Sequence, residues 1–473
     1  MARMLLLLLL AGCSLQAQDH HYWTHQFGTR SGLRGGAVVG GVDDTSAVYY
    51  NPGRTGFVKN DSLKVSATAY QLSILTMKDG AGKGIDLNSI RGDIIPLAAS
   101  GVFLFDGAPG HAIGFQILAR QFSDFRISAR REALINVIDD ARSAGPEDYI
   151  GSLDFRVSTE EYWAGLNYSW AMTDWLAIGM SNFGCLRFDD LDLRATSRAV
   201  NATPAFFGAD NLFNSALWNL RIVSKLGIAL DFGNLKFGVT VTSPGIHVAG
   251  GATVSRELSV FNLDSNGDGT GESFEASARR EGLSTRFNTP WSFASGMDWI
   301  IDSTTLSFTW EWFLPVGKYA AVRPNDNASF IRGGISGGPS AKEFLTIHDG
   351  RRGAFNLALA VENRWDEDWA GMWSFRSDYA ADYLHNDDET FLGVSSWNLF
   401  HFATGIAYTT RQDDGLPKHE LMLGLQFTLG AGKGKQPISF DNPQETGLLF
   451  GTPVDKTISY FAISLIVGYT YYF

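Results

Sequence analysis

Cysteine is nearly absent. Cys13 and Cys185 are the only two in 473 residues, so no disulfide framework organises the chain. Cys185 sits in a strand-like run and reads as a small apolar filler. Long apolar stretches are missing as well: nothing approaches the roughly 18 consecutive apolar residues of a membrane-spanning helix. Basic residues are in the minority, 38 Lys and Arg against 50 Asp and Glu for a net charge of −12, which removes the electrostatic basis for binding nucleic acid. Catalytic signatures fail too, with no Gly-x-Ser-x-Gly elbow and no His-Glu-x-x-His pair. The glycine-lysine runs at 80–84 and 430–434 lack the spacing and the Ser or Thr after Lys that a phosphate loop needs. These absences predict a protein that is no enzyme and requires no cofactor.

What is abundant is glycine, with 52 residues, and aromatics, with 33 Phe, 15 Tyr and 13 Trp, a mixture suited to strands, turns and membrane-interface girdles. Several runs alternate with a period of two. Leu306, Phe308, Trp310, Trp312 and Leu314 fall on one face of such a run, and Ser307, Thr309 and Glu311 on the other. Leu421, Leu423, Leu425, Phe427 and Leu429 alternate with Met422, Gly424, Gln426 and Thr428 in the same way. A soluble sandwich gives this alternation too, so connection lengths decide. Strand-like runs lie near 62–75, 97–105, 110–125, 154–170, 175–188, 217–231, 235–254, 284–299, 304–314, 353–364, 369–384, 397–410, 418–429 and 458–473. Tight turns at 106–109, 171–174, 231–234, 300–303, 365–368 and 411–417 alternate with long connections at 76–96, 126–153, 189–216, 255–283, 315–352, 385–396 and 430–457. Short turns on one side and long loops on the other predict an all-β, up-and-down antiparallel transmembrane barrel of about 14 strands.

The two ends fit such a barrel. The apolar run from Met4 to Ala11 is too short to span a bilayer and reads as a signal-peptide core, with residues 1–17 as the leader. Two exits compete: a lipobox-like Leu10-Ala11-Gly12-Cys13, which would lipidate Cys13, and cleavage after Ala17. At the other end Phe461, Ile463, Leu465, Val467, Tyr469, Tyr471 and Phe473 share one face of a closing strand. Such a terminal strand resembles the signal read by outer-membrane assembly machinery. Between leader and barrel lies a Gly-rich stretch, 28–57, that also carries Val38, Val39, Val42, Val48, Tyr49, Tyr50 and Phe57. It has too much apolar surface for a linker and is expected to be a compact plug, so the domains are 18–57 as hatch in the lumen and 58–473 as barrel.

The run Ser46-Ala47-Val48-Tyr49-Tyr50-Asn51-Pro52-Gly53, together with Thr289-Pro290-Trp291-Ser292-Phe293-Ala294 and the terminal strand, resembles the outer-membrane transport proteins of the long-chain fatty-acid and toluene channel type. The resemblance extends over essentially the whole mature chain in strand order. Gly53 departs from the Ala usual after Asn-Pro. It implies a fourteen-strand barrel, a hatch that includes Asp43, Asp44, Tyr49, Tyr50, Asn51, Pro52 and Gly53, uptake of hydrophobic small molecules such as fatty acids or aromatic hydrocarbons, and lateral release at a kinked third strand, where Gly110 and Gly114 are candidates for the kink. The expected partners are outer-membrane lipid, the hydrophobic ligand and the assembly machinery, with a monomer in the outer membrane of a Gram-negative-type bacterium. A barrel enzyme acting on lipid or peptide and a structural or adhesive barrel are the alternatives.

Three further stretches carry expectations. Phe206, Phe207, Leu212 and Phe213, in the connection 189–216, are candidates for a ligand-capture groove, against the alternative that they pack the loops together. Asp264, Asn266, Asp268, Thr270, Glu272 and Glu275, with Gly269 at the turn, occupy calcium-loop positions and predict a structural Ca2+, against a merely solvated acidic turn. Leu134, Val137, Ile138 and Ala141 share a helical face, predicting a short loop helix over 129–141. His20, His21 and His25 cluster after the leader as metal-binding candidates.

Overall fold

In the computed structural model, the residues described are 21–473 except 106, 139–140, 144, 202–205, 325–330, 333–340, 382–396 and 414; the expected leader lies outside them. One antiparallel sheet closes on itself with fourteen strands. The first six are Ser62–Met77, Leu87–Leu104, His111–Ile135, Glu147–Thr173, Leu176–Val200 and Phe206–Asp231. The seventh comes in two pieces, Leu235–Thr242 and Ile246–Leu263, and so does the eighth, Glu272–Leu283 and Ser292–Ile301. The ninth to fourteenth are Thr304–Phe313, Ala354–Arg364, Trp369–Asp378, Trp397–Arg411, Pro417–Lys435 and Asp455–Tyr472. The last strand returns to the first, with Tyr472 opposite Ser62 and Ile458 opposite Met77, so the barrel has no free edge there. Among the described residues no helix is long and apolar enough to cross a membrane.

The expected long connections are corrected by the strands themselves. Most of 126–153, 189–216 and 255–283 is strand, and the third to sixth strands run 25 to 27 residues, far beyond the roughly 9–11 that cross a bilayer. The helix expected over 129–141 is strand as far as Ile135. The reason is visible on the fourth strand. Near the short turns Ala164, Leu166, Tyr168 and Trp170 face outward while Glu161, Asn167 and Ser169 face the bore. Further along, Tyr149, Leu153, Phe155 and Val157 are buried inward while Asp154 and Arg156 are exposed. The alternation never stops; its polarity inverts. The lower half shows its apolar face to its surroundings, as a lipid-facing band does, and the upper half folds its apolar face inward, as a soluble protein does.

That upper half is filled. A hairpin of Val316–Val322 with Ile347–Arg351, a short helix Ala341–Leu345 and a ribbon of Ser439–Gln444 with Phe450–Gly451 pack into the loop end. Phe344, Ile347, Phe440 and Leu449 join Tyr149, Phe155, Phe207, Leu258 and Phe274 in one large apolar cluster.

The second and third strands are joined over only part of their length. Their ladder runs from Leu104 opposite Ala112 to Ala98 opposite Leu118 and ends there. The second strand reaches Pro96, which has no N–H to give, and the third has a bulge between Ala119 and Gln121. The irregularity in the third strand's ladder thus lies at Arg120, whereas Gly114 sits in regular register and Gly110 precedes the strand. Beyond it, residues 87–95 pair with the first strand and 121–135 with the fourth.

Candidate ligand site in the bore

Residues 21–57 are almost entirely buried and hold only short helical turns, Thr29–Leu33, Ala47–Tyr50 and a 3-10 turn Pro52–Phe57. They touch every barrel strand. Asp44 pairs with Lys64 of the first, Thr45 Oγ1 meets Ser100 Oγ of the second at 2.7 Å, and His25 Nε2 lies 3.3 Å from the Phe122 carbonyl of the third. Thr55 bonds Asn167 of the fourth, Ser181 of the fifth donates to Val48 O, Asn51 donates to Ile228 O of the sixth, and Thr240 of the seventh donates to Tyr50 O. Arg34 pairs with Asp298 of the eighth, Val39 N donates to Thr309 of the ninth, and Arg30 pairs with Glu362 of the tenth and Glu420 of the thirteenth. Arg376 of the eleventh donates to Trp23 O, His21 lies 2.7 Å from the Trp397 carbonyl of the twelfth, and Thr29 abuts Gly468 of the fourteenth.

The resemblance residues settle this contact. Asn51 closes the turn, accepting from Gly53 N through Oδ1 and donating from Nδ2 to Val39 O at 2.9 Å. A Cβ on Gly53 would stand 2.8 Å from Gly227 O, so the departure from Ala fits a wall that comes close. Gly227 and Gly238 leave room in turn for Asn51 and the Val39 carbonyl. Tyr50 donates from its hydroxyl to Gln26 Oε1 and accepts from Phe27 N. Asp43 is exposed in a turn-end vestibule of about 520 Å³. Burial opposes ionisation of Asp44, but the Lys64 ammonium and bonds from Ser46 outweigh it and lower its carboxyl to about 2.

Above the segment lies an internal cavity of about 50 Å³. Tyr22, Tyr49, Trp163, Val223, Phe287 and Phe313 supply its apolar lining, and Thr289, Pro290 and Ser292 of the second resemblance run border it. Five cations also line it, Arg120, Arg187, Arg221, Lys225 and Arg351, against two carboxylates, Glu161 and Glu311. Most carboxylate capacity is already taken. Arg187 uses Asp189 at 2.8 Å and Glu161 at 3.2 Å, Arg221 Nη2 stands 2.7 Å from Glu161, and Trp163 Nε1 donates to Glu161 at 2.6 Å. Glu311 accepts from Trp23 Nε1 and Ser292. Three guanidinium groups surround one ring, with Arg187, Arg221 and Arg351 at 4.1, 4.7 and 5.0 Å from the Phe287 centroid. Lys225 lies 4.2 Å over the Tyr49 ring, whose hydroxyl burial pushes up to about 12. Nε and Nη1 of Arg221, Nε and Nη2 of Arg351 and Nε of Arg120 are buried without a hydrogen-bond partner among the described residues. Buried N–H groups without a partner are costly, so these guanidinium groups have donors to offer a further acceptor. Sequence reasoning missed the cavity because its arginines lie on separate strands.

The other candidates distribute differently. Phe206 and the half-buried Leu212 face outward on the sixth strand, whereas Phe207 and Phe213 are buried inward, so the four share no single surface. One carboxylate oxygen from each of Asp264, Asp268 and Glu272 lies within 4.8 Å of the others. Asp264 accepts from the amides of Gly267, Asp268 and Gly269, Asp268 from that of Thr270, and Glu272 from Ser265 and Asn266. Glu275, expected as the distant ligand, instead stands exposed on a strand, on the face opposite Glu272. His21 and His25 each approach a backbone carbonyl, and His20 lies outside the described residues.

No protein-family model and no curated protein matches the chain. Solved structures do. A Pseudomonas aeruginosa FadL homologue is 11% identical, with 95% of this chain and 99% of that chain covered and a TM-score of 0.57. The P. putida toluene transporter TodX is 12% identical over 94% and 98%, with a TM-score of 0.55. The Ralstonia pickettii toluene transporter TbuX is 13% identical over 94% and 98%, with a TM-score of 0.51. The likeness is one of fold: a closed fourteen-strand antiparallel barrel.

Proposed function

We propose that the protein is an outer-membrane channel for passive uptake of hydrophobic small molecules, and that its ligand is an amphipathic acid of the long-chain fatty-acid kind. The observation that carries the choice of ligand is the cavity beside Phe287, where aromatic walls meet buried guanidinium groups with unused donors. A purely hydrocarbon ligand would leave those donors unsatisfied; a carboxylate head satisfies them. The cavity holds a head group and little more, so the tail requires the N-terminal segment to move.

In this reading the outward apolar band of the lower half faces lipid, with the short turns on the periplasmic side. Residues 21–57 then act as the hatch that closes the bore to water and polar solutes. The route runs from the loop end to the cavity, past Tyr22–Phe27, and out through the unpaired seam between the second and third strands. A second cavity of about 30 Å³ marks that seam, lined by Thr24, His25, Asp93, Phe122, Asp124 and Phe125. Apolar burial drives the transfer at about 0.8 kcal/mol per methylene, so each step can be downhill for a chain-like ligand. The fold likeness to transporters supports a channel over an enzyme. Cells producing the protein are expected to take up labelled palmitate several-fold faster than cells lacking it; equal rates contradict the reading.

A further inference from the structure

The seventh and eighth strands are interrupted at the same height. Their lower ladder ends with Thr242 opposite Ser292, and their upper one starts with Ala252 opposite Leu283. Between these points residues 243–251 and 284–291 form no ladder with each other, and Gly245 N donates to Thr289 Oγ1 across the gap at 2.5 Å. Pro244 has no N–H to give a ladder. Residues of the eighth strand turn away to the inner hairpin instead. Thr285 bridges to Val322, Arg286 N donates to Ala321 O at 2.8 Å, and Asn288 N donates to the Tyr319 hydroxyl at 2.9 Å. The seventh strand stays on the sixth, with Ile246 opposite Ile222 and His247 opposite Arg221. Its exposure records the missing neighbour. On a closed wall every second residue faces the bore and is buried, as Arg221, Val223 and Lys225 are. From Ser243 to Gly251 no residue is buried, and Ile246, His247 and Val248 are exposed in succession.

The gap lies in the upper part of the outward apolar band. Phe188 and Trp218 stand opposite each other at the top of that band, with exposed Asp190 above them. Gly251 is level with Trp218, and Ile246 with Ile222 below it. Exposed Ile222, Ile246, Val248 and Trp291 flank the gap on its outer side. On its inner side Thr242, Ser243, Phe287, Thr289, Pro290 and Ser292 all line the cavity beside Phe287. Arg221 joins the two. A Cβ on Gly245 would stand 2.6 Å from its Cδ, and its Nε and Nη1 have no hydrogen-bond partner among the described residues. Unpaired strand backbone at lipid depth is tolerated only where it is buried in protein or lines a polar cavity, and here the arginine-lined cavity adjoins it. We infer that this break is a side entrance for acids dissolved in the outer leaflet. The entering ligand lies with its carboxylate on Arg221 and its alkyl tail out through the gap, between Ile246 and Val248 on one side and Trp291 on the other. The inference rests on the proposed uptake of an amphipathic acid. A cavity of about 50 Å³ takes the head group alone. Enclosing the whole ligand requires the N-terminal segment to move; this entry complex does not. The tail stays among apolar side chains and lipid, and charge-assisted bonds to Arg221 offset the removal of the carboxylate from water. A neutral hydrocarbon gains the apolar contact alone.

Two measurements on the full chain in phospholipid vesicles test the entrance. The first compares binding of palmitate with that of palmitate carrying a pyrene on its terminal carbon. A tail that ends in lipid tolerates the added rings, so the two acids are expected to bind within about twofold of each other and to compete. Binding of the capped acid weakened by about tenfold or more shows an enclosed tail and overturns the inference. The second follows modification of Ile246→Cys and Val248→Cys by a membrane-permeant maleimide; Cys185 is buried and does not compete. Palmitate is expected to slow modification several-fold at both positions and to leave Leu166→Cys, in the outward band of the fourth strand, unchanged. Equal rates with and without palmitate, in protein that binds palmitate, show that bulk lipid alone fills the gap and also overturn the inference. Absence of palmitate binding by the wild-type protein would instead refute the underlying uptake reading, so the two failures are separable.

Discussion

Arg221 is the residue on which the choice of ligand turns. Its side chain is fully buried, its one carboxylate partner Glu161 is shared with Arg187 and Trp163, and two of its nitrogens have no bond. Arg221→Met keeps the packing against Phe287 and removes the charge. It is expected to weaken palmitate binding by at least tenfold, the loss of one charge-assisted hydrogen bond of about 1.5–3 kcal/mol, and to leave methyl palmitate binding unchanged. Fluorescence displacement on the purified protein reads both. If residues 21–57 close the bore as proposed, Asp44 gives that closure its pH dependence. Its folded pKa of about 2 lies below the unfolded value of about 3.9. A depressed carboxylate contributes stability in full above about pH 4 and loses it as pH falls through about 2, a contribution on the order of 2 kcal/mol. Small-solute leakage through the wild-type protein is therefore expected to rise between about pH 4 and pH 2, and Asp44→Asn to leak more at neutral pH with a smaller rise on acidification. A pH-independent leak in wild type contradicts this. Neither residue was equally legible beforehand. Asp44 lies in a stretch marked by its glycines and aromatics, whereas Arg221 is one inward position on a long strand, and nothing local marks that its neighbours in space are also arginines.

Elements were legible where the polarity of their faces stayed constant. The lower halves of the strands show Leu, Ile, Phe and Trp outward, and the closing strand from Asp455 to Tyr472 could be read from its alternation alone. The upper halves read as loops in the sequence because the apolar face changes sides near Thr159 to Trp163 on the fourth strand, and alternation that follows one apolar face ends there. The same inversion places Phe207 and Phe213 inside the loop-end cluster. The acidic turn illustrates a different difficulty: carboxylates at calcium spacing are also those that cap a tight turn's own amides, as Asp264 does three times. Among elements, residues 28–53 carry the firmest prediction. They hold the ion pairs from Arg30, Arg34 and Asp44 to four strands, at Glu362, Glu420, Asp298 and Lys64. Deleting them is expected to leave a barrel that folds, since the ladders lie elsewhere, but that leaks small polar solutes from liposomes. Leakage at the wild-type level would show that something else closes the bore.

At the scale of the molecule, two solvents divide one sheet. The lower half is built like a membrane protein, apolar outside and polar within, and its polar interior is consumed in bonding to the N-terminal segment. The upper half is built like a soluble one, with its own core. The arginine-lined cavity sits where the two meet, beside Tyr49 and near the point at Arg120 where the second and third strands part. That junction is the central claim, and photoaffinity labelling tests it most directly. Purified protein loaded with a diazirine-bearing palmitate analogue is irradiated and the labelled peptides are mapped. The account predicts label on the peptides of Tyr49, Trp163 and Phe287, competed by palmitate and lost in Arg221→Met. Label confined to the outward band around Leu166 and Trp170, unaffected by palmitate, would contradict it.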